Sequence, residues 1–262
     1  MRSEKMISRT DDGVGWMIFN NPDRHNAISL EMWEAAIEIM AEFSADPSVR
    51  VMVVAGAGGK AFASGADISR FKDERQEADA LAHYQATTQM AYSAIQGMAI
   101  PTIAMIRGYC IGGGTAVAVC CDLRVCSEDA KFGVPAARLG LGYGLNRAQP
   151  LVDLVGPAYA KEMFFTGRQF DAREAEKMGL VNRVVADDAL EATLDDMTRT
   201  IAANAPLTVR CAKLVIGETL KDVAERDVGA TERAVAACFA SADYQEGQAA
   251  FMEKRKPRFV GA

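Results

Sequence analysis

From Val49 to Ala55 every residue except Arg50 is apolar. A run of that length without alternation fits a strand covered on both faces. Such strands belong to parallel sheets with helices packed on either side, so the run predicts an α/β fold. Helices are available around it. Ser29 stands as an N-cap before Leu30–Phe43, where Met32, Trp33, Ala36, Ile37 and Met40 recur at helical spacing, and Asp46-Pro47 stops the pattern. Val14–Phe19, Thr102–Ile106, Leu123–Cys126 and Val181–Val185 read as further strands. Leu81–Met98, Thr115–Cys121, Lys161–Phe165 and Arg173–Gly179 read as helices, and charge-dense Arg70–Ala80 as an exposed one. Beyond Asp187 the chain reads as helical, with breaks at Pro206, Asp227 and Ser241. The expected organisation is a layered α/β core over residues 1–190 and a helical lobe over 191–262.

Composition narrows the function classes. Aromatics are only 7% of the 262 residues, so the core is aliphatic. Lys and Arg number 29 against 35 Asp and Glu, a net charge of −6. That balance argues against a surface dedicated to nucleic acid or an anionic membrane. A small anionic ligand met by a few local Lys or Arg stays compatible. With only His25 and His83, no His-rich metal site is expected. The six cysteines form no C-x-x-C pair and read as reduced, buried thiols of a cytosolic protein. Met1–Lys5 lacks the apolar segment of a signal peptide, and no apolar run is long enough to span a bilayer. A cytoplasmic protein is the expectation.

Two loops carry the chemical signal. Gly112-Gly113-Gly114 follows a strand and opens a helix, so backbone can approach a ligand and free N–H groups point at negative charge. A tight, packed turn would use the same residues. No Gly-Lys-Ser/Thr follows, so this is not a P-loop. The second loop, Ala63-Ser64-Gly65-Ala66-Asp67, is built from small residues. Together the loops suit an oxyanion hole, with one backbone N–H from each aimed at one carbonyl oxygen. Leu139-Gly140-Leu141-Gly142-Tyr143-Gly144 imitates a dinucleotide fingerprint, but its last glycine comes one residue early. Tyr143 is placed there to reach a cavity with its hydroxyl. No G-x-S-x-G elbow or H-E-x-x-H pair is present, and both histidines read as surface residues.

In order and spacing these motifs resemble the crotonase superfamily, the enoyl-CoA hydratase/isomerase family. The resemblance runs through Asn21-Pro22, Asn26-Ala27, Ala61–Ile68, Pro101–Ala104 and Gly108–Gly114. It continues through Cys121–Arg124, Phe132–Pro135, Leu139-Gly140, Phe165–Gly167, Met178–Val181 and the Glu246–Pro257 tail. It implies a spiral of β-β-α turns and a helical C-terminal region making a homotrimer or dimer of trimers. It also implies an acyl-CoA thioester substrate, coenzyme A entering as part of that substrate, with no separate cofactor. Ala66 and Gly113 are the implied oxyanion-hole donors. Coenzyme A contacts are implied for Arg24, Ala63, Ala66, Asp67, Ile68, Phe251 and Lys254.

The chain departs from the family's hydratases at two positions. Their two glutamates fall here on Ala116 and Ala136. Water addition needs a base and an acid, and alanine is neither. Leu139–Tyr143 and Asp243–Gly247 are similar instead to methylmalonyl-CoA decarboxylases, where a Tyr in this loop lies at the acyl pocket. Those enzymes carry His where this chain has Ala66. A lyase on a short acyl-CoA is therefore expected, with Ala66, Gly113 and Tyr143 central. A silent acyl-CoA-binding paralogue is the alternative, as is a hydratase or isomerase recruiting Arg138, Asn146 or the Arg70–Glu77 segment.

Overall fold

The computed structural model describes residues 3–70 and 77–262. Strands β1 (Met6–Asp11), β2 (Val14–Phe19), β3 (Val51–Gly56), β5 (Thr102–Ile106), β7 (Leu123–Ser127) and β10 (Arg183–Val185) form one sheet in that order. β4 (Ala61–Ala63), β6 (Tyr109–Ile111), β8 (Lys131–Gly133) and β9 (Phe170–Asp171) form a second. From β2 to β10 the first sheet is parallel. Three times the chain lays one strand in the first sheet and the next in the second, then adds a helix. The units are β3-β4 with α2 (Ala78–Gly97), β5-β6 with α3 (Gly113–Cys120), and β7-β8 with α4 (Leu145–Thr166).

The doubly buried strand is β3. Met52 and Val54 enter the core under α1 (Leu30–Ala45), while Val51, Val53 and Ala55 enter a second core on the opposite face. Side chains alternate faces along a strand, so both faces must be covered. Leu190 and Leu194 of α6 (Leu190–Ala203) supply the second cover. Arg50 lies outside the strand, and its Nη2 donates to Val260 O at 3.1 Å.

Several boundaries differ from expectation for local reasons. β1 was not foreseen; it pairs with β2 across Asp12-Gly13, both at positive φ (45° and 81°), the conformation of a two-residue hairpin turn. Ser29 sits at the N-cap of α1, but its hydroxyl pairs with Glu31 at 3.3 Å and accepts no backbone N–H. The expected Lys161–Phe165 helix is the end of longer α4, which kinks at Gly156 (φ 72°, ψ 166°) before Pro157. Of the Arg70–Ala80 segment, residues 71–76 lie outside the described residues, and helix begins at Ala78.

Past α5 (Ala172–Lys177), the C-terminal helices are α6, α7 (Pro206–Thr219), α8 (Val228–Ala240) and α9 (Ala242–Glu253). Pro206 opens α7, and the side chains of Asp227 and Ser241 cap α8 and α9. The six cysteines are free thiols, five of them buried. Among the described residues no helix is long and apolar enough to cross a membrane, and no His/Cys/Asp/Glu cluster is placed to hold a metal ion.

Arg124 on β7 is only 2% exposed. Its guanidinium donates to Leu180 O (2.7 Å), Cys121 O (2.6 Å) and Ala118 O (3.2 Å), closing the C-terminal end of α3. Arg124→Met orphans the Leu180 and Cys121 carbonyls, Ala118 O keeping the Cys121 N–H, and is expected to lower unfolding free energy by about 2–4 kcal/mol in urea melts.

Candidate active site

The loop after β4 is held by Ile28. Ile28 N–H donates to Gly65 O at 2.8 Å, and Asp67 N–H donates to Ile28 O at 3.0 Å. In such a parallel bridge the middle residue, Ala66, turns its own N–H away from the partner strand. The loop after β6 turns at Gly112, whose φ of 56° with ψ of −111° suits glycine alone. Thr115 fastens it, its buried hydroxyl donating to Cys110 O at 2.7 Å with Gly133 O at 3.1 Å. As first residue of α3, Gly113 has an N–H with no partner inside the helix.

The loops touch. A Cβ on Gly113 would lie 3.5 Å from Gly65 Cα and 3.6 Å from Ala66 N. A Cβ on Gly65 would lie 3.3 Å from Gly113 N. Neither the Ala66 nor the Gly113 N–H has an acceptor among the described residues. Both residues are half-buried, so an incoming oxygen can reach them. Two adjacent unpaired donors at a helix N-terminus form a notch for an oxygen bearing negative charge.

Around this notch the expected binding residues separate into groups. Ala63 is buried in β4 and Ile68 is exposed. Asp67 is buried and accepts from the Ser69 N–H (3.1 Å) and hydroxyl (2.6 Å). Arg24 joins it, with Nη1 3.4 Å from Asp67 Oδ1 and donating to Ser69 Oγ. Arg24 therefore stands over the Ala66 loop as a partly exposed cation. Its turn is pinned by fully buried Asn26, which accepts Asn21 N–H (2.8 Å) and donates to Ala57 O (2.9 Å) and Ala61 O (2.7 Å). Phe251 and Lys254 stand exposed at the end of α9, and no described contact joins them to Ala66 or Arg24.

Ala116 and Ala136 are both buried in the main core. Tyr143 packs edge-on against Phe164, with ring centroids 5.1 Å apart. Its ring lines a cavity of about 350 Å³ with Val152, Ala160 and Phe164. Burial raises its pKa above the usual phenol value, against the opposing pull of the Arg147 charge, so the hydroxyl keeps its proton at neutral pH. Tyr92, beside Tyr143 and Arg147, is shifted upward for the same reason. Arg138 lies against Gly167, and Asn146 is exposed on the first turn of α4. His25 and His83 are exposed, His83 lying 3.4 Å from Glu34.

Arg147 and Tyr92 escaped sequence reasoning, whereas Tyr143 did not. A cation three residues past a glycine-rich loop was the available signal.

The fold is an α/β spiral in which the loops after β4 and β6 bring two unpaired backbone donors together. The sequence model of the enoyl-CoA hydratase/isomerase family matches residues 9–262. The crotonyl-CoA hydratase of Syntrophomonas wolfei is 32% identical over 260 residues, covering 99% of each chain. The short-chain-enoyl-CoA hydratase of Clostridium acetobutylicum is 30% identical, covering 98% of this chain and 97% of its own. Among solved structures, an enoyl-CoA hydratase/carnithine racemase from Magnetospirillum magneticum superimposes with a TM-score of 0.94 at 36% identity, over 99% of this chain and 97% of that one. The chain belongs to the enoyl-CoA hydratase/isomerase family, within the crotonase superfamily.

The Gly113 and Gly114 positions answer to different constraints. A Cβ at Gly114 would fall 2.2 Å from Ala63 O, whereas one at Gly113 meets only ordinary contacts. Gly114→Ala is expected to destabilise by about 2–3 kcal/mol or more, because backbone must move. Gly113→Ala is expected to melt within about 1 kcal/mol of the parent. Equal melting of the two variants in differential scanning calorimetry would refute this assignment of the loop contact.

Proposed function

We propose that the chain is a lyase acting on a short acyl-CoA thioester, with decarboxylation of a malonyl-type acyl group as its reaction. One observation carries the reading: two convergent backbone donors, Ala66 and Gly113, stand in a site where residues 116 and 136 are alanine. The relatives are named hydratases, yet the two-carboxylate route is closed to this chain. A malonyl-type thioester needs no base. Its carboxylate departs as CO₂ when the bond to Cα breaks, and the electron pair moves through Cα into the thioester carbonyl. The resulting enolate oxygen lies between the Ala66 and Gly113 N–H groups, in the field of the α3 N-terminus. A proton then adds to Cα, and protonated Tyr143 is the donor.

In this reading Arg24 and the Ala63–Ile68 backbone hold the coenzyme A portion. Phe251 and Lys254 serve that same portion from the C-terminal region. The C-terminal helices carry the trimer contacts, and the protein works in the cytoplasm.

Incubation with crotonyl-CoA, methylmalonyl-CoA and ethylmalonyl-CoA, read by mass spectrometry, tests the class. Loss of CO₂ is expected. A hydrated product would establish a hydratase with a substitute acid, and binding without turnover would establish a silent paralogue.

Gly113→Pro removes one donor while proline suits the first position of a helix. It is expected to lower turnover about 100- to 1000-fold with the circular dichroism spectrum intact. Tyr143→Phe is expected to slow turnover about 100-fold, and unaltered kinetics would remove Tyr143 from the mechanism.

A further inference from the structure

Arg147 is a half-buried cation on an aromatic wall. Its Nη2 donates to Thr88 Oγ1 at 2.9 Å, and its guanidinium carbon lies 5.8 Å from the Tyr92 ring centroid. Thr88 can accept because its own hydroxyl proton goes to Tyr84 O, 2.9 Å away. Tyr92 is braced in turn by Trp33, with centroids 5.2 Å apart. The guanidinium is thus held in place, yet among the described residues no carboxylate forms an ion pair with it. A guanidinium offers five N–H donors, and one neutral hydroxyl does not answer its charge. An anion completes such a site, and planar recognition of a carboxylate is what the fork suits.

Arg147 is also joined to the notch through α3. Ala116 and Cys120 are one turn apart on that helix, which packs against both α2, the carrier of Thr88 and Tyr92, and α4, the carrier of Arg147. The helix therefore leads from Gly113, past Ala116, to the wall that holds Arg147. Gly113 to Cys120 spans about 10 Å at the helical rise, within reach of a short acyl group and a long Arg side chain. An acid at position 116 would lie along that path as a counter-ion. Alanine at that position supplies no such counter-ion.

We infer that Arg147 receives the free carboxylate of the acyl group, so that the substrate class is the coenzyme A thioester of a short dicarboxylic acid. This rests on the assignment of the Ala66–Gly113 notch to the thioester carbonyl. An ion pair to a carboxylate that leaves as CO₂ is stronger in the ground state than in the transition state. Arg147 therefore selects and places the substrate, and its removal raises KM more than it lowers kcat.

Isothermal titration of the full chain with methylmalonyl-CoA, succinyl-CoA and butyryl-CoA tests this. Succinyl-CoA has no carboxylate positioned to leave, so its binding is read without turnover, and butyryl-CoA has no acyl charge. At least one acidic thioester is expected to bind about 10- to 100-fold tighter than butyryl-CoA. Arg147→Met should bring the acidic thioesters down to the affinity of butyryl-CoA, and Arg147→Lys should restore part of the gap. Should Arg147→Met fail to fold, Thr88→Val removes the acceptor that holds the guanidinium and should narrow the same gap. Equal wild-type affinity for acidic and neutral thioesters, or a preference that survives Arg147→Met or, in its place, Thr88→Val, overturns the inference. The lyase reading fails separately: a charge preference lost in Arg147→Met without CO₂ release keeps the inference and removes the lyase. CO₂ release with the preference intact in Arg147→Met does the reverse.

Discussion

The site depends on how closely α3 approaches β4. Gly114 packs so near the Ala63 carbonyl that a Cβ would lie 2.2 Å from it. That approach presses the Gly65–Ala66 loop against the first turn of α3 and brings two backbone donors side by side. Both flanks reinforce it. Ile28 holds the Ala66 loop through two hydrogen bonds, and Thr115 ties α3 back to β6 and β8. The two donors are consequently held in place by the packing around them.

Beside the notch the charged pair is Arg24 with Asp67. Arg24, at the mouth, is tethered to Asp67 and Ser69. On α4, Arg147 rests on Thr88 and Tyr92. Tyr143 stays protonated because burial disfavours its anion. Ala116 and Ala136 place no carboxylate against these groups.

Much of this was legible along the chain. Continuous apolarity in β3 required cover on both faces, and the cover is there. Breaks at Pro206, Asp227 and Ser241 follow from capping chemistry that acts within a few residues. The two small-residue loops were recognisable because backbone approach leaves a trace in composition. Reading failed where the signal was short or non-local. Asp12-Gly13 marks a hairpin that the polar β1 residues conceal. Lys161–Phe165 understated α4, because Pro150 and Pro157 imitate breaks that a long helix tolerates with a kink at Gly156.

By itself, the sequence determined the layered α/β class, five strands of the first sheet, the two small-residue loops and the alanines at 116 and 136. These follow from periodicity, capping and residue identity, which are local properties. Only the tertiary structure decided that Ala66 and Gly113 meet, that Asn26 is the buried brace beneath Arg24, and that Arg147 is set on Tyr92 with no carboxylate paired to it among the described residues. Each of those depends on residues far apart in the chain being forced together by core packing, and nothing in the spacing of one segment encodes its distance to another.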